Sequence, residues 1–171
     1  MTQQMALPLR VNDGARFDNF YLGPNTAVVK AFEQMFMGTV NLPLNPVLLF
    51  GHTGTGKSHL LYAIVNHLSQ FDQTSQPGLR SSYLALSDAS ISPDMLEVLE
   101  VDQIILLDDV HVWAGDIARE QALFGLYERV KQAQGMWVAS SHASADESGF
   151  ILPDLVSRLS SGLQFQLRAL S

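Results

Sequence analysis

The 171-residue chain contains no cysteine, which removes disulfide scaffolds and thiolate metal sites from consideration but no enzyme that works through backbone amides and oxygen ligands. Positive charge is scarce as well. Ten Lys plus Arg, of which three are Lys, stand against seventeen Asp plus Glu, and the formal net charge is -7. No segment gathers enough cations to neutralise several phosphates of a duplex, so autonomous DNA binding is disfavoured. A run of 18 apolar residues is missing, and Met1-Thr2-Gln3-Gln4 has neither the cationic start nor the greasy stretch of a secretory signal. A soluble cytoplasmic domain without membrane contact is the expectation. With 47% apolar and 16% charged residues the chain is too aliphatic for disorder, and its length suits one compact domain that buries about two-thirds of its unfolded surface.

Residues 1–12 form a zone of their own, read as a flexible tail with a single charge, Arg10, and the apolar cluster Leu7-Pro8-Leu9. Residues 13–171 are expected to form the folded domain. Pro24 suits the first turn of a helix ending near Gly38, with Val28, Ala31, Phe32, Met35 and Phe36 inward. From residue 46 strands and helices alternate. Apolar runs predict strands over 47–50, 82–86, 103–107 and 136–140, and alternation predicts a fifth over 163–167. Helical spacing predicts helices over 57–68 and 93–99, and over 117–134 with Ala118, Leu123, Leu126, Tyr127 and Val130 inward. Strands separated by helices imply an α/β fold, a parallel sheet with helices on both faces.

Between the first strand and its helix lies Gly51-His52-Thr53-Gly54-Thr55-Gly56-Lys57-Ser58, a Gly, four residues, then Gly-Lys-Ser. This is the phosphate-loop pattern in its proper strand-to-helix setting. Gly54 and Gly56 let successive amides turn toward one centre, and the helix N-terminus adds partial positive charge. Lys57 reaches the terminal phosphates of ATP or ADP, and Ser58 offers its hydroxyl to Mg2+. Asp108 and Asp109 close the third predicted strand, where two adjacent carboxylates make sense beside a cation. Asp108 is assigned to Mg2+ and Asp109 to polarising the attacking water. Ser140, Ser141 and His142 end the next strand, where one of these side chains could contact that water or the terminal phosphate; Ser141 is the candidate, against the alternative of an ordinary serine-rich turn, and His142, open to reading as a surface residue, is given no metal role. Arg158 stands on a short amphipathic helix four residues after Asp154. It is either half of an i,i+4 ion pair or a cationic finger directed at a neighbouring subunit's nucleotide.

Several of these segments occur together in one family. Phe17-Asp18-Asn19-Phe20, Gly23-Pro24-Asn25, the phosphate loop running into His59-Leu60-Leu61, the Asp108-Asp109 strand and the stretch from Leu152 to Leu159 resemble the AAA+ domain of the DnaA family of bacterial replication initiators. The resemblance covers nearly the whole chain and is closer to the family's short regulatory branch, the Hda type. It implies a P-loop NTPase core with a five-stranded parallel sheet flanked by helices. It also implies an adenine site lined by Phe20, Tyr21, Leu22, Gly23 and Asn25, with Gly51, Thr53, Thr55 and His59 joining the other loop residues around the nucleotide.

For Arg158 the resemblance implies action on a partner's nucleotide. Gln4, Leu7 and Leu9 match the peptide with which the Hda type docks on the DNA polymerase sliding clamp, where an extended segment sets its leucines into an apolar cleft. The implied partners are the clamp and DnaA, and another copy of the chain, with DNA met only indirectly. The implied function is to promote hydrolysis of DnaA-bound ATP and so suppress repeated initiation. The sequence stops at Leu170-Ser171, so the helical lid of AAA+ proteins is expected to be absent and the chain's own turnover weak. Two alternatives stay open: a helicase-loader or transposition-helper ATPase of the DnaC type, and a clamp-tethered adaptor that does not hydrolyse nucleotide.

Overall fold

The computed structural model describes residue 15 and residues 23–37, 46–71, 80–101 and 104–169. After a 3-10 turn over Gly23–Asn25, the elements are α1 (Thr26–Met37), β1 (Val47–Phe50), α2 (Lys57–Phe71), β2 (Ser81–Ala85), α3 (Pro93–Val98), β3 (Ile104–Asp108), α4 (Ile117–Gln132), β4 (Met136–Ser141), α5 (Pro153–Ser160) and β5 (Leu163–Gln166). All five strands are parallel, in the order β2-β3-β4-β1-β5. The expected α/β sheet is present, and β4 lies between the glycine-loop strand and the aspartate strand.

Strand alternation divides the core in two. Val47, Leu49, Ile104, Leu106, Met136 and Val138 meet α1 and α2 on one face of the sheet. Leu48, Ile105, Leu107, Trp137 and Ala139 meet α3, α4 and α5 on the other. Burial on both faces is why these strands read as continuous apolar runs, each fully buried leucine or isoleucine contributing about 1.5–3 kcal/mol of transfer free energy. Register at the β5 edge is fixed by Leu163, whose N–H donates to the Pro46 carbonyl at 2.9 Å. Gly162 permits that approach, because a side chain there would run into the same carbonyl.

Two expectations about the helices shift. Among the described side chains of α1, Val29 is the buried one, and Val28 is only half-buried. Phe32, Met35 and Phe36 lie outside the described side chains. Ala118 is exposed, because the first turn of α4 projects beyond the apolar core; Ala122 joins Leu123, Leu126, Tyr127 and Val130 inward instead. The one buried side chain of that first turn is Glu120. α4 itself starts where the Asp116 carboxylate accepts from Arg119 N at 3.1 Å, an N-cap bond.

Candidate functional site

β1 delivers the chain into the glycine loop at the carboxyl edge of the sheet, where β4 and β3 also end. Gly54 and Gly56 take φ of 83° and 98°, a region that residues with a Cβ rarely occupy. At Gly51 a side chain would collide with the Leu167 carbonyl, so the first glycine lets the segment after β5 pass close by. Thr55 is buried and its hydroxyl donates to His52 O at 2.9 Å, tightening the loop from behind. Lys57, the first residue of α2, donates from Nζ to Gly51 O at 2.6 Å and to His52 O at 2.8 Å. Burial lowers its pKa, while Asp109 and Asp108 work in the opposite direction.

Asp108 is the most constrained group of the site. It is buried, and Oδ2 accepts from Ser58 Oγ at 2.6 Å and from Tyr83 Oη at 2.7 Å, while Oδ1 accepts from Ser140 Oγ. Ser140 Oγ in turn accepts from Asp109 N at 2.8 Å. Three hydroxyls from α2, β2 and β4 therefore fix one carboxylate. Burial first, then the charge of Asp108, raises the pKa of Tyr83 and keeps its phenol protonated as a donor.

Neither Tyr83 nor Ser140 is among the partners of Asp108 expected from the sequence, although strand parity contains the signal. Leu107 pairs with Ala139, so Ser140 comes next, opposite Asp108 on the α2 face of the sheet. Ser141, the residue expected beside the attacking water, is turned by the same alternation to the α4 and α5 face. It is buried there with its hydroxyl 2.7 Å from Ser148 Oγ, and it is not among the described residues lining the cleft.

Asp109 leaves the strand in a left-handed conformation, φ 58° and ψ 48°, unusual for a residue other than glycine. That turn brings it into a cleft of about 390 Å3 with Thr53, Gly54, Gly56, Lys57, Ser58, His59, His111 and His142. Desolvation and then Asp108 push the Asp109 carboxyl above its ordinary range, while Lys57, Ser87 and His142 pull it back. Of the three residues that end β4, His142 is thus the one that lines the cleft, and His111 is a cleft residue that no sequence motif singled out. Their rings lie 4.2 Å apart between centroids, and His142 N donates to His111 Nδ1 at 3.2 Å.

The remaining expected residues are more distant or lie elsewhere. Asn25 is buried and grips the chain just past β5: its Nδ2 donates to Arg168 O at 2.9 Å and its Oδ1 accepts from Arg168 N at 2.7 Å. Gly23 opens the same 3-10 turn and is exposed. Phe20, Tyr21 and Leu22, like Gln4, Leu7 and Leu9, lie outside the described residues. On α5, Arg158 pairs with Glu128 of α4, Nε to Oε1 at 3.4 Å, rather than with Asp154; the helix-to-helix contact displaces the local pair.

These donors suit a nucleotide with a hard cation. Loop amides and Lys57 fit phosphate oxygens. Among the described residues no group of three or more His, Asp or Glu could hold a metal by itself. One serine hydroxyl and one aspartate is nevertheless the sparse oxygen set that Mg2+ accepts when phosphates and water fill its other positions. No described helix is long and apolar enough to cross a membrane.

Comparison with known proteins agrees with this geometry. The family model of the bacterial DnaA ATPase domain matches residues 11–166. An uncharacterized protein of Haemophilus influenzae is 31% identical over 173 residues, covering all of this chain and 71% of that protein. The fold is similar to domain III of the Thermotoga maritima replication initiation protein DnaA, with TM-score 0.75 and 24% identity over 93% of this chain and 69% of the other. It is also similar to AMPPCP-bound DnaA from Aquifex aeolicus, with TM-score 0.74 and 21% identity over 93% of this chain, which spans only 51% of that longer one. The DnaC helicase loader shares the fold at TM-score 0.67 and 13% identity, over 90% of this chain and 96% of the loader. A glycine loop feeding α2, an aspartate locked to Ser58 and a match over residues 11–166 lead to one conclusion: the chain belongs to the bacterial DnaA ATPase domain family, built on an AAA+ core.

Proposed function

We propose that the chain is a nucleotide-binding regulator of replication initiation of the Hda type, which docks on the sliding clamp and stimulates hydrolysis of DnaA-bound ATP. ATP or ADP with Mg2+ is its ligand. The glycine-loop amides and Lys57 hold the phosphates, Ser58 and Asp108 hold the cation, and Asp109 is placed to accept a proton from water. Thr53, Thr55 and His59 complete the loop side, Ser141 contributes through its backbone carbonyl, which accepts from Gly51 N at 3.2 Å, and the segment from Phe20 to Asn25 receives the base. Mg2+, when bound, neutralises charge on the phosphate oxygens; the protein's part is to present oriented donors to them.

The observation that carries the trans-acting part is the position of Arg158. Its side chain is 43% exposed on α5, is held from one side by Glu128, and is not among the described residues lining the chain's own cleft. A guanidinium so placed serves a second nucleotide better than the first. The clamp-docking part rests on the likeness of Gln4, Leu7 and Leu9 to a clamp-binding peptide, which lies before the family match over residues 11–166.

The test is ATP turnover in a mixture of this chain, ATP-bound DnaA and clamp-loaded DNA. Wild type should stimulate turnover, and Arg158→Ala should remove most of the stimulation while leaving its own nucleotide affinity intact; Arg158→Lys should rescue poorly, because a point charge lacks the planar fork. Stimulation retained by the alanine variant contradicts the finger. Turnover that instead responds to a replicative helicase points to a loader of the DnaC type, and clamp binding without any turnover effect points to an adaptor.

A further inference from the structure

We propose that His111 binds the terminal phosphate of a nucleoside triphosphate through Nε2–H, and thereby makes the cleft discriminate triphosphate from diphosphate. The proposal rests on the nucleotide reading of the site and adds to it a residue outside the glycine loop and the aspartate pair.

Position comes first. His111 sits in the 3-10 turn Val110–Trp113, entered directly from the left-handed turn at Asp109. That turn is anchored from below, because the Trp113 indole is buried and its Nε1 donates to Leu86 O at 3.1 Å. The His111 ring is thereby among the side chains that line the cleft together with Lys57, Ser58 and Asp109. The loop amides hold the phosphates at the start of α2, so the phosphate furthest along the ligand is the one left for a side chain outside the loop.

Ring chemistry is set by a single hydrogen bond. The backbone N–H of His142 donates to His111 Nδ1 at 3.2 Å, which makes Nδ1 an acceptor. A neutral imidazole with Nδ1 accepting carries its proton on Nε2. The His142 ring, tilted by 58° at 4.2 Å, limits rotation of the His111 plane. Neutrality agrees with the setting: burial, then His142 and Lys57, depress the His111 pKa to about 4, with Asp108 opposing them. The result is an uncharged, oriented donor beside a lysine. Such a donor adds one directed hydrogen bond to a charged phosphate oxygen without adding another cation next to Lys57.

Asn and Gln separate the two ring nitrogens. His111→Asn keeps an acceptor near the place of Nδ1 but is too short to set a donor at the place of Nε2, whereas His111→Gln extends an amide N–H toward that place. Calorimetric titration with Mg-ATP and Mg-ADP should show His111→Asn losing about tenfold or more in ATP affinity, with ADP affinity unchanged within about twofold. His111→Gln should recover most of the ATP affinity. Equal losses for both nucleotides, or no loss for either, overturn the proposal while leaving the nucleotide site standing. A wild type that binds neither nucleotide removes the nucleotide reading and this proposal together. Nitrogen NMR of the wild-type imidazoles provides a check that needs no variant. The His111 Nε2–H signal should move on addition of Mg-ATP and stay in place with Mg-ADP, and identical shifts with both nucleotides contradict the assignment.

Discussion

Replacing Glu120 with Ala should destabilise the fold more than any surface change of the same charge. The Glu120 carboxylate is fully buried and accepts from three backbone amides: Gly115 N at 2.8 Å, Ile151 N at 2.8 and 3.1 Å, and Leu152 N at 3.0 Å. These bonds tie the loop before α4 to the residues that lead into α5, thirty-one and thirty-two positions from Glu120. A hydrogen bond to a charged acceptor contributes roughly 1.5–3 kcal/mol, and three orphaned donors that water partly recovers give an expected loss of about 3–5 kcal/mol. Typical domain stability is only about 5–15 kcal/mol, so the effect is easily resolved in a urea titration. Glu120→Gln should recover at most about half, because its amide nitrogen turns a donor toward a donor. Hydrogen exchange at Ile151 and Leu152 should accelerate in both variants, and α5 should loosen with its Arg158. A loss below about 1 kcal/mol for the alanine variant, with unchanged exchange at those amides, would refute the assignment of Glu120 as the brace between these loops.

Two further predictions probe separate parts of the molecule. Changing Leu7 and Leu9 together to Ala should weaken clamp binding by up to about 4 kcal/mol and leave nucleotide affinity untouched; equal binding by wild type and double variant in a pull-down would reduce the peptide to an ordinary tail. The depressed pKa of His111 predicts a stability term that is fully present above pH 6.5, the ordinary histidine value, and is lost as pH falls toward about 4, since the unfolded chain takes up the proton first. His111→Gln lacks that term, so its stability relative to wild type should improve on acidification through this window, and parallel pH profiles would contradict it.

The sheet was legible because burial on both faces leaves uninterrupted apolar runs such as Ile104 to Leu107, and because the glycine loop can only join a strand to a helix. Ser58 and Asp108 were legible for the same reason: the motif sets the start of α2 directly after β1, and a carboxylate at the end of a buried strand has to meet it. Choosing Ser140 over Ser141 was not, since it depends on pairing β3 with β4 in one register, and a slip of one residue exchanges the two faces. Tyr83 reads as an apolar strand residue until β2 is set beside β3. His111 and His142 are thirty-one positions apart, and only the left-handed turn at Asp109 brings their rings together. The partner of Arg158 escaped local spacing because α4 competes with the preceding helical turn, and Glu128 lies on α4.

Binding of Mg-ATP to wild type and to Lys57→Ala, measured by calorimetry under one set of conditions, tests the central claim most directly. Lys57 is the cation among the described residues lining the cleft, and backbone amides cannot replace its charge opposite the phosphates. Wild type should bind, and the alanine variant should bind at least about tenfold more weakly while its melting curve shows that it remains folded. Equal affinity in two folded proteins would mean that the glycine loop does not hold the nucleotide.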